Sequence, residues 1–308
     1  MSKKVMVATV KPFASIAVDG IRKIMEGAGY ELQVLENYPD QQAFVNAVSD
    51  VEALIIRSDK VTREVMDNAP NLKIVVRAGA GYDNVDLEAA SEKGIVVMNT
   101  PGQNSNAVAE LVFGLMIYMA RRAYSGKAGT ELKGKTLGLQ AYGNVGRNVS
   151  RIARGFGMEV LAYDPFVPAD TIRKDDVEPV DSVEVLYDRS DYVSLHIPAI
   201  KPTIKSINFP LMSRMKEGAT VINTARKEVI DEEGLKKMLE KRPDFRYVSD
   251  IAPDCKDELL AQYPDRVFFT AKKMGAQTLE ANVNAALAAA NQILGFFEKG
   301  DTTFQVNK

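Results

Sequence analysis

Residues 135–165 constrain this chain more than any other stretch. They read Lys135-Thr-Leu-Gly-Leu-Gln140, then Ala141-Tyr-Gly143-Asn-Val-Gly146, then a helical pattern, then Val160-Leu-Ala-Tyr-Asp164-Pro165. A strand, a tight glycine turn, a helix and a second strand ending in an acid make a βαβ unit with a phosphate site at its first turn. Little side-chain bulk in the turn lets backbone N–H groups approach a pyrophosphate, and the helix N-terminus adds the positive end of its dipole. Asp164, 18 residues after Gly146, is placed to accept from a ribose hydroxyl. Its carboxylate repels a 2′-phosphate and no arginine follows closely, so the expected cofactor is NAD rather than NADP. One glycine is missing, since Ala141 stands where the first of G-x-G-x-x-G belongs. The alternative is an ordinary βαβ turn whose glycines serve packing.

The position of this unit shapes the whole chain. Roughly 130 residues of another α/β pattern precede it, with Val- and Ile-rich runs of strand length at 5–10, 31–35, 53–56, 73–77 and 95–99. Helix-spaced apolar residues fall between them at 15–28, 41–48, 63–68 and 87–93. A strongly apolar helix is expected over 105–122. A second βα series follows, with strands at 136–140, 159–163, 192–197, 220–223, 247–251 and 267–270, and a long Ala-rich helix over 279–299 precedes a polar tail. Continuous hydrophobic strands alternating with helices imply parallel sheets covered on both faces. The expected fold class is α/β, with two Rossmann-like doubly wound parallel-sheet domains, the nucleotide domain inserted into the substrate domain. The boundaries read as 1–103 and 281–308 for the substrate-binding domain and 104–280 for the NAD-binding domain, with two crossings acting as a hinge around a cleft.

Composition narrows the function classes. Lys and Arg total 39 against 41 Asp and Glu, so charge gives no reason to expect nucleic acid or membrane partners. A single cysteine, Cys255, excludes an intrachain disulfide and suits a reducing, cytoplasmic setting. The apolar run after Met1 is cut by Lys11 and reads as a buried strand rather than a leader. No His/Cys cluster has metal-ligand spacing, and no metal is expected.

Candidate chemistry lies at the ends of strands, where parallel sheets bind ligands. Arg226, closing Ile222-Asn-Thr-Ala-Arg226, can clamp a carboxylate bidentately and polarise an adjacent carbonyl, but also fits a surface or ion-paired arginine. Arg57-Ser58-Asp59-Lys60 and Arg77-Ala-Gly79-Ala80-Gly81 suit an anion such as a carboxylate plus a phosphate, or are unrelated turn residues. Lys272-Lys273-Met-Gly275-Ala276-Gln-Thr278 joins the last strand to the final helix. Its lysines fit a solvated pair, and Thr278 is placed to cap the helix. His196 is the only histidine, in Ser194-Leu-His196-Ile197-Pro198, and reads equally as a general base or as a satisfied histidine at a sheet edge.

Taken in order, these segments resemble the D-isomer-specific 2-hydroxyacid dehydrogenase family from about Arg57 to the end of the last helix. The resemblance rests on 77–86, Val97-Met-Asn-Thr-Pro101, Asn104-Ser followed by Ala109-Glu110, the 141–146 turn, Tyr163-Asp164-Pro165, His196-x-Pro198, Asn223-Thr224-Ala225-Arg226 with Ile230-Asp231-Glu232, and Gly275-Ala-x-Thr278. It implies Arg226 as catalytic arginine, and Gly79, Ala80, Gly81 with Arg77 and Asn104 on the substrate. Gly143, Asn144, Val145, Gly146, Asp164, Pro165, His196, Ile197, Pro198, Thr224, Ala225, Arg226, Asp250, Gly275 and Ala276 then lie on the cofactor side. Arg57, Ser58 and Lys60 resemble the phosphate-binding segment of members that oxidise a phosphorylated 2-hydroxy acid in serine synthesis. A homodimer through the nucleotide domain is the family habit, and the chain is expected to lack the family's C-terminal regulatory domain. Glyoxylate, hydroxypyruvate or another 2-oxo acid is the alternative substrate, and an NAD-sensing binding protein the non-enzymatic alternative.

Two departures from the family pattern bear on mechanism. Lys273 occupies the place of the family's acid/base histidine. The acid that orients that histidine falls at Asp254 or Cys255 or is lost. A carboxylate would hold a lysine's pKa high, so a lysine proton shuttle is better without one, and burial and Lys272 would both lower it. Lys227-Glu228 also replaces two glycines after the arginine.

Overall fold

A computed structural model describes residues 2–307. The chain divides into two compact units, Met1–Asn104 with Thr278–Lys308, and Ser105–Gln277.

The first unit is a five-stranded sheet of β1 (Lys4–Thr9), β2 (Glu31–Glu36), β3 (Ala53–Ile56), β4 (Ile74–Arg77) and β5 (Val96–Asn99), in the order β2-β1-β3-β4-β5. Its registered pairs are parallel, for example Val5 opposite Ala53 and Ile56 opposite Arg77. Alternate side chains serve two cores. Val5, Val7, Ile55 and Val76 pack on one face, where the final helix lies, while Met6, Ala8, Leu54 and Val75 pack on the other. The helix Leu279–Lys299 buries Ala281, Ala285, Ala286, Ala289, Ala290 and Ile293. These small residues permit close approach; a Cβ on Gly20 of the neighbouring helix would lie 2.5 Å from Leu287. Thr278 caps this helix at Ala281 N, 3.1 Å away. The polar tail docks on the edge strand: Gln305 bridges Met98 in antiparallel sense, and the buried Asn307 accepts from Val97 N at 2.8 Å. Covering β5 in this way removes an open edge.

The second unit is a seven-stranded sheet of β6 (Thr136–Gln140), β7 (Glu159–Tyr163), β8 (Glu178–Pro179), β9 (Tyr192–Leu195), β10 (Thr220–Asn223), β11 (Arg246–Ser249) and β12 (Val267–Phe269), in the order β12-β11-β10-β9-β6-β7-β8. The two-residue β8, with a proline, carries too little pattern to be read from sequence. The apolar helix Ser105–Ala120 stops two residues earlier than expected. Arg122, Ala123 and Tyr124 all have positive φ (50°, 52° and 55°), which ends α-helical geometry.

Both sheets reverse their strand order once, between β1 and β3 in the first unit and between β6 and β9 in the second. Such switch points, at the carboxyl ends of the strands, are where doubly wound sheets bind ligands.

Candidate active site

In the second unit the glycine turn sits at the switch point. Ala141 has φ +83°, the conformation that favours glycine, so alanine carries backbone strain where the fingerprint has its first glycine. Gly146 is required by space: a Cβ there would lie 2.6 Å from the Ala141 carbonyl oxygen. Gly143 is the N-cap of the helix Asn144–Gly155, and no side chain caps that end. The first-turn N–H groups of Asn144, Val145 and Gly146 therefore have no intrahelical acceptor. Asp164, just past β7, accepts from Tyr142 N at 2.7 Å and from Phe166 N at 2.8 Å, which locks the acid against the turn.

Beyond the switch point, three neighbouring strands each end in a polar group whose bonding is unfilled. After β9, His196 donates its backbone N–H to Gln140 O at 3.0 Å, yet its Nε2 is buried with no partner. Thr224 Oγ1, after β10, and Asp250 Oδ1, after β11, are likewise buried and unpartnered. Buried polar atoms left unpaired cost free energy, so a bound polar group at these strand ends would satisfy them; Thr9, Glu36 and Thr100 of the first unit carry such atoms too. Burial pushes the His196 imidazole down to about 3. That direction favours the neutral imidazole.

Asn223, fully buried at the end of β10, shapes the turn that bears Arg226. Its Nδ2 donates to Arg226 O at 2.9 Å and its Oδ1 accepts from Ala225 N at 3.0 Å. The half-buried Arg226 spends one guanidinium N–H on Ala225 O (2.9 Å). The next residue, Lys227, pairs with Asp254 at 2.5 Å. Glu232 accepts from the backbone N–H groups of both Asp254 (2.7 Å) and Cys255 (3.0 Å). Burial, then the neighbouring Glu232, pushes the Cys255 thiol up to about 12, so it stays protonated. Of the two positions that stand where the family has its orienting acid, one is engaged by Lys227 and the other is a neutral thiol.

Asp250 also fixes the loop that carries Lys273. Its Oδ2 accepts from Met274 N at 3.1 Å and Gly275 N at 2.7 Å, and a Cβ on Gly275 would press on that oxygen and on Val108. Thr270 Oγ1 donates to Lys272 O at 2.6 Å. Lys272 and Lys273 are both exposed. The burial expected around Lys273 is therefore not what the fold gives it.

The first unit gathers its charged candidates at its own switch point. The half-buried Arg57, after β3, donates through NH1 to Lys11 O (3.3 Å) and Pro12 O (3.1 Å) and through NH2 to Asn282 Oδ1 (2.5 Å), and it lies over the Phe13 ring. Burial lowers its pKa and the nearby Asp59 partly restores it. Arg77 Nε donates to Arg57 O at 3.0 Å. Gly79, at φ +152°, has its carbonyl held by Thr100 N, and a side chain there would collide with the Arg77 guanidinium. Asn99 fixes Ala80 O at 2.6 Å. Ser58, Lys60 and Ala80 are exposed, and Gly81 and Asn104 are half-buried.

With this geometry in hand, likeness to known proteins decides the family. The profile described as the D-isomer specific 2-hydroxyacid dehydrogenase catalytic domain matches residues 7–307. The chain belongs to that family. A crystal structure of NAD+-bound 3-phosphoglycerate dehydrogenase from Entamoeba histolytica is 44% identical, with 100% of this chain and 99% of that one covered and a TM-score of 0.88. A hydroxypyruvate reductase of Thermotoga maritima is 41% identical over 219 residues, 67% of this chain and 70% of the relative. D-3-phosphoglycerate dehydrogenase of Methanocaldococcus jannaschii is 36% identical over 288 residues, 88% of this chain and 54% of the relative. This chain spans about half the length of the curated phosphoglycerate dehydrogenases it matches.

Several residues that shape this dehydrogenase's two strand-end clusters were not among the sequence candidates: Asp59, Tyr38, Asn84 and Asn282 in the first unit, and Asn223 and Glu232 in the second. Asp59, Asn84, Asn223 and Glu232 lie inside segments the sequence already singled out, whereas Tyr38 and Asn282 do not. Among the described residues no group of three or more His, Cys, Asp or Glu side chains can hold a metal ion, and no helix is long and apolar enough to cross a membrane.

Proposed function

We propose that this dehydrogenase oxidises D-3-phosphoglycerate to 3-phosphohydroxypyruvate with NAD, the first oxidation on the way to serine. The observation that carries the cofactor half is the row of ligand-ready groups along the second sheet. Asp164 suits a ribose, the uncapped helix after Gly143 a pyrophosphate, and the unpartnered His196 Nε2, Thr224 Oγ1 and Asp250 Oδ1 the remaining polar groups of a dinucleotide. NAD, when bound, supplies the hydride acceptor. Arg226 holds the substrate carboxylate and polarises the C2 oxygen. Neutral Lys273 takes the C2 hydroxyl proton as hydride leaves C2, giving a 2-oxo acid and a lysine ammonium; in reverse the ammonium returns that proton. Arg57, Ser58 and Lys60 recognise the phosphate, with Arg77 and the 79–81 backbone on the carboxylate.

The likeness to a hydroxypyruvate reductase supports a second reading, in which an unphosphorylated acid is preferred. A steady-state panel of D-3-phosphoglycerate, D-glycerate and D-lactate with NAD and NADP separates the two. The proposal expects the phosphorylated acid and NAD to give the highest kcat/KM. Arg57→Ala should raise KM for D-3-phosphoglycerate by about tenfold or more and leave D-glycerate within about threefold. Equal losses on both substrates would remove the phosphate assignment. A cytoplasmic homodimer belongs to the same proposal, and sedimentation at assay concentration checks the dimer.

A further inference from the structure

We propose that Asp59, with Tyr38, is a positioning residue for phosphate recognition: a buried carboxylate that sets the shape of the 57–60 loop without touching the substrate. The inference rests on the assignment of Arg57, Ser58 and Lys60 to the substrate phosphate.

Side chains in this loop alternate. Ser58 and Lys60 point outward and are exposed, while Asp59 between them is turned inward and is 6% exposed. A carboxylate at that depth is expensive unless its lone pairs are filled. Here they are filled by groups from three segments. Asp59 Oδ1 accepts from Val10 N at 2.6 Å, just past β1, and from the Tyr38 hydroxyl at 2.6 Å, just past β2; Oδ2 accepts from Arg57 N at 3.3 Å. Burial and the Asp59 charge both raise the Tyr38 pKa, so the hydroxyl keeps the proton it donates. Asn84 holds the carbonyls of Asp59 (2.7 Å) and Arg57 (3.3 Å) from the other side, and Gln41 holds Lys60 O at 3.0 Å.

The loop is thus tied down through its backbone and its one inward side chain, and the outward side chains inherit a fixed origin. No cation forms a salt bridge with Asp59 among the described residues, although its charge helps keep the half-buried Arg57 guanidinium protonated. A negative charge so close to an anion site opposes phosphate binding. Its presence makes sense if the order it imposes on the loop outweighs that repulsion.

The two effects predict opposite signs, which makes the proposal testable. In Asp59→Asn the charge is gone, but the amide cannot accept from both Val10 N and Arg57 N. If positioning dominates, KM for D-3-phosphoglycerate rises about tenfold, with kcat and KM for NAD within about twofold and KM for D-glycerate within about threefold. Tyr38→Phe keeps the ring against Phe44 and should shift the phosphorylated substrate alone by about threefold. It keeps the test intact if Asp59→Asn folds poorly. A lower KM for the phosphorylated acid in either variant, or equal increases for both acids, would overturn the proposal. Arg57→Ala run beside them separates the two levels. If it discriminates between the acids and the Asp59 and Tyr38 variants do not, only the positioning role falls. If Arg57→Ala itself fails to discriminate, the phosphate assignment falls and the positioning role with it.

Discussion

The strand ends of the two sheets reach their chemistry by opposite means. In the second unit, the ends of β6, β9, β10 and β11 leave capacity unfilled: an uncapped helix, and buried atoms on His196, Thr224 and Asp250 without partners. In the first unit, charged side chains tie the ends of β3 and β4 to their neighbours, although Thr9 Oγ1 at the end of β1 and Thr100 Oγ1 just past β5 are also buried without a partner among the described residues. Arg57 donates to Lys11, Pro12 and Asn282, Arg77 to Arg57, and Asp59 accepts from three segments. The contrast teaches that the second unit offers a helix N-terminus shaped by its glycine turn, whereas the first is preorganised by charged side chains that hold one another. Substitutions in the second unit should therefore register first in catalysis and cofactor use, and those at the first in substrate KM.

The largest effect is expected where chemistry depends on single groups. Arg226→Ala should lower kcat/KM by about 10³-fold, since on the proposed function it removes the charge that polarises the C2 oxygen. Lys273→Ala should cost about 10²-fold and also change the pH profile. With the lysine as the proposed base in oxidation, only its neutral form is productive, so the wild-type rate should rise with pH and the variant should lose that rise. A Lys273→Ala enzyme with near-wild-type kcat and an unchanged pH profile would remove the assignment.

How much of this was legible in the sequence follows the same divide. The second unit's turn, acid and strand ends were readable because each is a local pattern: glycines at set spacing, an acid ending a strand, an arginine after one. Most strand limits were readable to within a residue or two because parallel strands buried on both faces are continuous apolar runs. The network of the first unit was not. Asp59 meets Val10 and Tyr38, and Arg57 meets Asn282, across sequence separations of 21 to 225 residues, and no spacing rule encodes them. The Lys227–Asp254 pair was illegible for the same reason. Lys273 was placed by its position in a motif, and its exposure became visible only in the folded loop.

Next in size is Gly146→Ala. The added Cβ would meet the Ala141 carbonyl at 2.6 Å, and backbone cannot yield as a flexible side chain does. Pushing the helix N-terminus off the turn should cost about 1–3 kcal/mol of stability and raise KM for NAD, with substrate KM little changed. Chemical denaturation and a cofactor titration check both. If substrate KM moves as much as that for NAD, the division between the two units fails.

The smallest effect separates strain from function at the same turn. Ala141 holds φ +83° with its N–H on Tyr163 O at 2.9 Å, so the backbone shape is kept despite the wrong residue for it. Ala141→Gly relieves about 1–2 kcal/mol of left-handed strain and loses about 0.5–1 kcal/mol to the greater freedom of glycine in the unfolded chain. The net should be a gain of about 0.5 kcal/mol in stability, read from urea unfolding, with KM for NAD within about twofold, because the acceptor-free N–H groups lie at Asn144 to Gly146, outside the substituted residue. If the glycine variant instead binds NAD much more tightly, the alanine methyl is an obstacle to the cofactor. The shape of this turn would then be a compromise with its ligand, and the second unit would resemble the first in being tuned by a side chain.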